Sequence, residues 1–444
     1  MRKWMLAFAM VITAAGTASA QLTTEQKQAD IDALIEEWMP QNRSLDAHEQ
    51  GAFDAALADL QGSLATSTDA EHGLRIQRLL ATTNNAHTGA YFGPLDAAIH
   101  RLPIRLWWFD EGLFITKAHP DFAHLVGAQI LSFGDLSTDQ AYEGASTFVS
   151  GVPAWKRYRS ITPLTQLEAL HLIGASASPD SVNLGVIFPD GRRDVVTLGV
   201  EPSADPDDDW YTWAASLVPS AEGWSHMLSA DGLPPYLQEP GENMYLALPD
   251  RDAAYIRFNR IFGGEESLID ETIDMMFALA DTRPETIIVD FRYNHGGDVL
   301  RMRTFLEGLF GLVPENGHVY VLGGRVTMSA AIVALATLYA DGQAQVTFVG
   351  EPLGDHLRFW SEGGAVELPG SGVIALYNDG YHDWVDGCDP SENCFWAAEV
   401  YSRAVGELGP DVTVPMNIET YLAGDDQVME RVWALEEARR AHLK

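Results

Sequence analysis

Two stretches decide the fold: ETIIVDFRYNHGGD at residues 285–298 and HVYVLGGRVTMSAAIVA at residues 318–334. In the first, an apolar β-branched run ends at the glycine pair Gly296 and Gly297. In the second, a strand-like run leads through a glycine-rich turn to Ser329, which opens an alanine-rich helix. Two strand ends and one helix start are therefore predicted to meet at one place.

The pattern around Ser329 is typical of a nucleophile. A hydroxyl at a helix start lies beside unpaired backbone N–H groups and the positive end of the helix dipole. A serine that attacks a carbonyl needs such donors, because they stabilise the developing oxyanion. We therefore predict Ser329 as nucleophile, with an oxyanion hole formed by the N–H of Ala330 and of Gly296 or Gly297. The alternatives are that Ser329 is only an N-cap and that the glycine pair is only a tight turn.

Size and charge narrow the class of protein. The chain has 444 residues with 46% hydrophobic content, which predicts two or three domains rather than one core. Its formal net charge of −35 repels nucleic acid and anionic membranes, so we expect neither as a partner. The motifs of phosphate loops, dinucleotide sites and metal centres are absent from the sequence, and we predict no cofactor and no metal site.

Residues 1–20 resemble a secretory signal, with a basic start, a short apolar stretch and a cleavage site after Ala20. The alternative is an N-terminal membrane anchor, although the apolar run is too short to span a bilayer. We predict a periplasmic or secreted protein without a later membrane span. In an exported protein, the close pair Cys388 and Cys394 predicts a disulfide, with a metal pair as the alternative.

Periodicity divides the rest of the chain. Residues 21–98 are predicted to form an N-terminal helical domain, because apolar residues recur there at three- and four-residue steps. Residues 99–200 contain short strand-like runs and two helices, which predict a small α/β module. Residues 201–242 are predicted to be a linker. Residues 243–444 alternate strands and helices, which predicts a layered α/β domain.

Five segments, in order, carry a family resemblance: NAHTGAYF, DFRYNHGGD, VTMSAA, FVGEPLG and LGPDVTVPM. They resemble serine peptidase family S41, which includes the C-terminal processing (tail-specific) proteases and the tricorn core protease. Leu353 stands where the fourth motif usually has Thr. The resemblance implies a crotonase/ClpP-like catalytic domain at 243–444 and a PDZ-like module at 99–200.

The resemblance also suggests a general base for Ser329. One branch of the family uses a lysine after the serine, but the corresponding region, EPLGDHLRFW, contains none, so we reject that mechanism. The tricorn-like branch uses the histidine of a His-Thr element, which here is His87. An imidazole titrates near neutral pH and suits this role. His356 is the competing candidate for the base, and His295 and His382 are remoter candidates. The alternative for His87 is a turn histidine that is only hydrogen-bonded to backbone.

The same pattern suggests an acid that would orient the histidine. The tricorn-like pattern has a glutamate before the Pro-Asp segment, and we prefer Glu399 to Glu407, which lies in a glycine-flanked turn. Ala86 replaces a serine that the pattern has before the histidine. Seven aromatic residues could line a substrate cleft or only pack locally: Phe359, Trp360, Tyr377, Tyr381, Trp384, Phe395 and Trp396.

These observations predict an exported serine endopeptidase of the tail-specific type. Ser329 would form an acyl-enzyme with a peptide or protein substrate, and the module would position that substrate or gate the cleft. The alternative class is a catalytically impaired protein that binds an apolar ligand or peptide on the same scaffold. An esterase acting on small acyl substrates would share the chemistry.

Overall fold

The structure is a computed structural model that describes residues 21–45, 49–202, 212–220, 223–262, 265–388, 394–396 and 403–443. The predicted signal sequence, residues 1–20, lies outside these ranges. The architecture is mixed α/β with several sheets, as predicted at that level. Within the described ranges, no helix is long and apolar enough to cross a membrane.

The N-terminal segment is helical, as predicted. Thr23 forms a capping box with Gln26 and starts the first helix. The four helices are α1 (Thr24–Ala33), α2 (Met39–Gln41), α3 (Gln50–Gly62) and α4 (Asp69–Ala81). Their apolar faces do not close on themselves alone, because Leu368, Val373 and Ala375 from far along the chain complete the same core.

The middle module is built on an antiparallel sheet, in keeping with the strand-like runs predicted there. Its sheet has the order β2-β3-β4-β6-β7, with β5 paired to β4 and β8 paired to β3. The strands are β2 (Ile104–Phe109), β3 (Gly112–Ala118), β4 (Gln129–Phe133), β5 (Leu136–Ser137), β6 (Ser181–Ile187), β7 (Arg193–Gly199) and β8 (Ser225–His226), after β1 (Ala90–Tyr91) earlier in the chain. The segment PDGRRD, residues 189–194, joins β6 to β7 as a hairpin.

Four helices accompany the module: α5 (Thr138–Ser146), α6 (Pro153–Arg159), α7 (Leu167–Leu172) and α8 (Ala214–Leu217). Helix α6 begins with Pro at its first position, a favoured place for that residue. Helix α8 and strand β8 lie in the range predicted to be a linker, yet both contact the module. The predicted domain boundaries remain predictions.

A six-stranded sheet forms the centre of the C-terminal region, in the order β18-β13-β12-β11-β10-β9. Its pairs are parallel except for the edge strand β9. The strands are β9 (Met244–Leu248), β10 (Ala253–Arg257), β11 (Thr286–Asp290), β12 (His318–Gly323), β13 (Val346–Gly350) and β18 (Val412–Thr413). The central strands are buried on both faces, which explains their continuous apolar sequence.

Helices cover both faces of this sheet. The helices α9 (Glu265–Thr282), α10 (Arg303–Gly308) and α11 (Ala330–Gly342) pack on one face in a single apolar core. The opposite face is covered by α13 (Gln427–Leu443), which follows the short helix α12 (Ile418–Ala423). The layered α/β arrangement predicted from the alternation of strands and helices is therefore present.

Two small antiparallel sheets contain the four strands between β13 and β18, and their pairings were not predicted. One pairs β14 (Arg358–Ser361) with β17 (Gly380–Asp383), and the other has the order β1-β16-β15, with β15 (Gly364–Glu367) and β16 (Ile374–Tyr377). Strand β1 thus joins the N-terminal segment to the C-terminal region. This pairing brings the chain around His87 next to β14.

A buried carboxylate anchors the same junction. Asp30 accepts hydrogen bonds through Oδ1 from the backbone N–H of Gly370 at 2.7 Å and of Ser371 at 3.1 Å. Its Oδ2 lies 3.0 Å from Nε2 of His72, and both side chains are fully buried. Because a buried carboxylate needs several donors, Asp30 fixes α1 and α4 against the loop between β15 and β16.

A second buried carboxylate, Glu436, fixes α13 on the sheet. Its oxygens accept hydrogen bonds from Thr286 at 2.9 Å and Tyr320 at 3.1 Å. Arg439 and Arg440 also donate to it, at 2.7 Å and 2.6 Å. Burial by itself would raise the pKa of Glu436, but these donors lower it to about 2.

The pKa of Glu436 makes the stability it contributes depend on pH. A carboxylate whose pKa is lowered in the folded state stabilises above its ordinary pKa, and loses that contribution as the pH falls through the folded value. We expect Glu436→Gln to reduce the free energy of unfolding at pH 7 by on the order of 3 kcal/mol. At pH 3 the difference from wild type should shrink to less than half, as measured by urea unfolding.

The neighbouring Glu437→Gln is the matched control for this measurement, because Glu437 is 79% exposed. It should change stability little at either pH. An equal loss for Glu436→Gln at pH 7 and pH 3 would contradict the pKa assigned to Glu436.

Candidate active site

The carboxyl ends of β11 and β12 bring the two decisive stretches together. The strands are parallel neighbours, with Asp290 opposite Leu322. A Cβ placed on Gly296 would lie 2.5 Å from Cβ of Ser329 and 2.9 Å from the backbone nitrogen of Ala330. Only glycine allows so close an approach, and Gly296 also has φ +100°. The glycine pair and the start of α11 are therefore in direct contact.

Asn294, in the loop between β11 and the glycine pair, holds this contact in place. Its side chain is fully buried and donates from Nδ2 to the carbonyl of Phe258 at 2.7 Å. Its Oδ1 accepts from the N–H of Gly296 at 2.8 Å, and its carbonyl accepts from the N–H of Met328 at 3.2 Å. The N–H of Gly296 is thus engaged within the loop. In the described chain, the N–H groups of Gly297 and Ala330 have no acceptor.

Ser329 does not act as an N-cap. Its backbone has φ 53° and ψ −130°, whereas an N-cap residue is normally extended, and its side chain makes no capping hydrogen bond. A non-glycine residue in this region costs on the order of 1–3 kcal/mol, and such strain is concentrated at functional sites. The half-buried hydroxyl lies at the edge of a cavity instead of bonding to its own helix.

An ion network around Asp290 and Arg292 secures the strand end beneath this turn. Arg292 donates to Asp290 from Nε at 3.0 Å and reaches Asp426, ahead of α13, at 2.7 Å. Burial opposes the charge of Arg292, but the two carboxylates raise its pKa above its ordinary value. Thr327 completes the support, since its Oγ1 donates to the carbonyl of Phe291 at 2.8 Å. These residues position the turn and do not line the cavity at Ser329.

His87 reaches the same neighbourhood from the N-terminal segment. Asn85 exchanges two hydrogen bonds of 3.0 Å with the backbone of Trp360 in β14, which fixes the loop that carries His87. The imidazole stacks on Phe359, with ring centroids 5.1 Å apart. Its Nδ1 lies 3.1 Å from Oδ2 of Asp355, whose side chain is fully buried.

The contact between His87 and Asp355 is close but not aligned as a hydrogen bond. Neither ring nitrogen of His87, nor Oδ2 of Asp355, has a hydrogen-bond partner among the described residues. At a separation of 3.1 Å, a small rotation of the imidazole ring would align the two groups as a hydrogen bond. Asp355 was missed from the sequence, where its only signal is its position just after the strand end FVGEPLG.

Ser329 and His87 are not hydrogen-bonded to each other in this structure. Ser329 lines a cavity of about 130 Å3, while His87 lines a neighbouring cavity of about 210 Å3 beside α6. Phe359 borders the Ser329 cavity and stacks on His87, so it connects the two. A base role for His87 therefore requires a shift of its ring towards Ser329.

The other histidines differ in their surroundings. His356 is exposed and lines a separate cavity with Asp110 and Arg157. His295 lies 3.0 Å from the hydroxyl of Tyr158 in α6, and burial, aided by Arg159, lowers its pKa to about 3. These two do not line the Ser329 cavity.

His382 lines the Ser329 cavity, although the sequence analysis placed it only among the remoter candidates for the base. It lies directly across from Phe359 in the pairing of β14 and β17. Burial, and then the charge of His87, lower its pKa to about 3. The imidazole of His382 is therefore neutral at working pH.

The other predicted residues are the two glutamates, the two cysteines and the seven aromatic residues. Glu399 lies outside the described residues and stays a prediction, and Glu407 is exposed. Cys388 and Cys394 form the predicted disulfide. Of the seven aromatic residues considered for a cleft, three line the Ser329 cavity: Phe359, Trp384 and Phe395.

Comparison with known proteins identifies the fold. No protein-family model matches the chain, and no curated protein matches its sequence. Among solved structures, mature CPAF complexed with lactacystin matches with a TM-score of 0.55 and 11% identity, over 95% of this chain and 98% of that chain. Mature CPAF alone gives a TM-score of 0.52 and 12% identity, over 90% and 94%.

The chain therefore shares the fold of CPAF, an S41-type protease. The family resemblance predicted from the motifs is confirmed at the level of the fold, along nearly the whole of both chains. At 11% identity the likeness concerns the fold alone, and the site must be argued from its own residues.

The close approach of Gly296 to Ser329 can be tested by adding one methyl group. In Gly296→Ala, the new Cβ would collide with the Ser329 turn at a backbone φ that alanine disfavours. We expect a loss of about 2–4 kcal/mol in the free energy of unfolding. Gly311→Ala is the control, because nothing lies within 4 Å of its added Cβ. Equal stability of both variants by chemical denaturation would contradict the contact.

Proposed function

We propose that this chain is an exported serine peptidase of the tail-specific protease type, with Ser329 as its nucleophile. One observation carries the proposal. The hydroxyl of Ser329 is held in a strained turn beside the N–H groups of Gly297 and Ala330, and none of the three has a hydrogen-bond partner among the described residues. This is the arrangement that a reactive serine and its oxyanion hole require.

In the proposed reaction, Oγ of Ser329 attacks the carbonyl carbon of a peptide bond while His87 accepts the hydroxyl proton. The oxyanion is stabilised by the N–H groups of Gly297 and Ala330. As the C–N bond breaks, His87 returns the proton to the leaving amine, and an ester remains on Ser329. Water, deprotonated by His87, then hydrolyses the ester and frees the enzyme.

Asp355 is the acid best placed to orient His87 within the described residues. Its fully buried side chain lies 3.1 Å from Nδ1, so Nε2 is the nitrogen that would accept the serine proton once the ring shifts. A carboxylate in this position holds the imidazole in one tautomer and stabilises the imidazolium that forms. Glu399 remains the acid that the family resemblance suggests, and substitution of each acid separates the two.

The finer assignments belong to the same proposal. The six-stranded sheet with its two helical layers would be the crotonase/ClpP-like catalytic domain, and the sheet β2-β3-β4-β6-β7 the PDZ-like module that handles peptides. Export is supported by the sequence of residues 1–20 and by the disulfide between Cys388 and Cys394. A peptide or protein substrate is supported by the fold shared with CPAF.

Covalent labelling tests the nucleophile. A fluorophosphonate probe should label the folded protein at Ser329, as located by peptide mass spectrometry, because the probe's phosphorus is attacked as a carbonyl would be. Labelling should disappear in Ser329→Ala and persist in Ser146→Ala. The absence of labelling in the wild type would favour the binding-protein alternative.

A histidine series tests the base. We expect His87→Ala to lower kcat by about 10²–10⁴-fold, the usual contribution of a positioned general base. His356→Ala should leave kcat nearly unchanged, since its ring is exposed and lines another cavity. Steady-state hydrolysis of one peptide by the folded variants measures both. Loss of activity in His356→Ala with retention in His87→Ala would reverse the assignment.

A further inference from the structure

The cavity that adjoins Ser329 has mostly apolar walls. They come from α11, from the turn after the glycine pair and from the two-stranded sheet, and they comprise Val299, Leu300, Val333, Phe359, Trp384 and Phe395. Its ionisable lining residues are Asp298, Glu362 and His382, and none of the described residues that line it is Lys or Arg. Such a space suits a long side chain with an apolar stem and a polar end.

The hydrogen bonds at the polar end fix which groups donate and which accept. The hydroxyl of Ser361 donates to Oε1 of Glu362 at 3.2 Å. Because that hydroxyl has one proton, its oxygen must accept from Nε2 of His382, 2.9 Å away. A neutral His382 then carries its proton on Nε2, and its Nδ1 is a free acceptor. This Nδ1 is buried and has no partner among the described residues.

Two acceptors belong to residues that line this end of the cavity: Nδ1 of His382 and the carboxylate of Glu362. Asp298 is already engaged, since it accepts from Nε of Arg301 at 3.2 Å. Trp384, another lining residue, has a buried donor, Nε1, with no partner in the described part of the chain, and this donor suits a backbone carbonyl. Buried polar atoms in native structures normally have partners, so these atoms point to a bound group that supplies them.

We propose that this cavity selects a lysine or arginine side chain at the substrate residue whose carbonyl Ser329 attacks. The aliphatic stem would pack along Phe359 and Trp384, and the cationic end would bond to Glu362 and to Nδ1 of His382. The field of a chain with net charge −35 favours the same ligand. This substrate class rests on the proposed peptidase function, which the cavity refines.

The carboxyl of Glu362 is kept available for such a cation. It is 44% exposed, and its separation of 3.9 Å from Nε2 of His382 leaves it without a positively charged partner there, since that imidazole is neutral. Glu362 also has φ 59°, a backbone conformation that costs energy in any residue other than glycine. The strand turn thus holds the carboxyl at the mouth of the cavity.

The experiment compares fluorogenic peptides that differ at one residue: lysine, norleucine, which has nearly the same length without charge, and glutamate. For the wild type, kcat/KM should be about tenfold or more higher with lysine than with norleucine. In Glu362→Gln that ratio should fall by about tenfold, while hydrolysis of the norleucine peptide changes little. Glu362→Lys should shift the preference towards glutamate. Glu367→Gln, an exposed glutamate on the adjoining strand, is the matched control.

A binding measurement separates this proposal from catalysis. In Ser329→Ala protein, calorimetry should show tighter binding of the lysine peptide than of the norleucine peptide, and Glu362→Gln should remove that difference. Labelled Ser329 without any preference for lysine would overturn the cationic site and leave the peptidase standing. Unlabelled Ser329 with Glu362-dependent binding of lysine would support the site and overturn the peptidase.

Discussion

The close packing of Gly296 against the Ser329 turn is the constraint on which the rest of the structure depends. The first segment needs φ +100° at Gly296, which glycine adopts readily, whereas the second places a serine at φ 53°, which costs energy. Asn294 joins them through its side chain and its carbonyl, deep in the protein. Buried hydrogen bonds of this kind resist relaxation, so the strain at Ser329 is maintained by the surrounding sheet and not by the turn itself.

The proposed site needs the N-terminal segment as well as the strand ends, because His87 comes from that segment. Strand β1 pairs with β16, Asp30 fixes the loop at Gly370, and Asn85 pairs with the backbone of β14. Together these contacts place His87 against Phe359 and Asp355. The group proposed as base and the group proposed as nucleophile thus come from distant parts of the chain, and folding of the N-terminal helices is coupled to assembly of the site.

Much of this fold could be predicted from the sequence, for a physical reason. The strands β10 to β13 are continuous apolar runs and α11 is an alanine-rich helix, so burial alone makes them recognisable. The pairing of β14 with β17 and of β1 with β16 was not foreseen. Those strands are short and mixed in polarity, and nothing local indicates the partner, which for β1 lies hundreds of residues away. The helix α6 was also missed, since it is short and tertiary contacts decide it.

The candidate site divides in the same way. Ser329 and the glycine pair stand in recognisable motifs, whereas Asp355 and Glu362 lie in turns, and the roles proposed for them depend on long-range packing. The N–H of Gly296 illustrates a further limit. Sequence placed it beside Gly297 as an equal candidate for the oxyanion hole, and only the position of Asn294 showed that it is already bonded.

The most direct test of the central claim is a crystal structure of the protein after reaction with a small fluorophosphonate. The phosphorus should be bonded to Oγ of Ser329, with its oxygen about 3 Å from the backbone nitrogens of both Gly297 and Ala330. A phosphoryl oxygen that faces solvent, with those two amides bonded elsewhere or beyond hydrogen-bond distance, would contradict the proposed oxyanion hole.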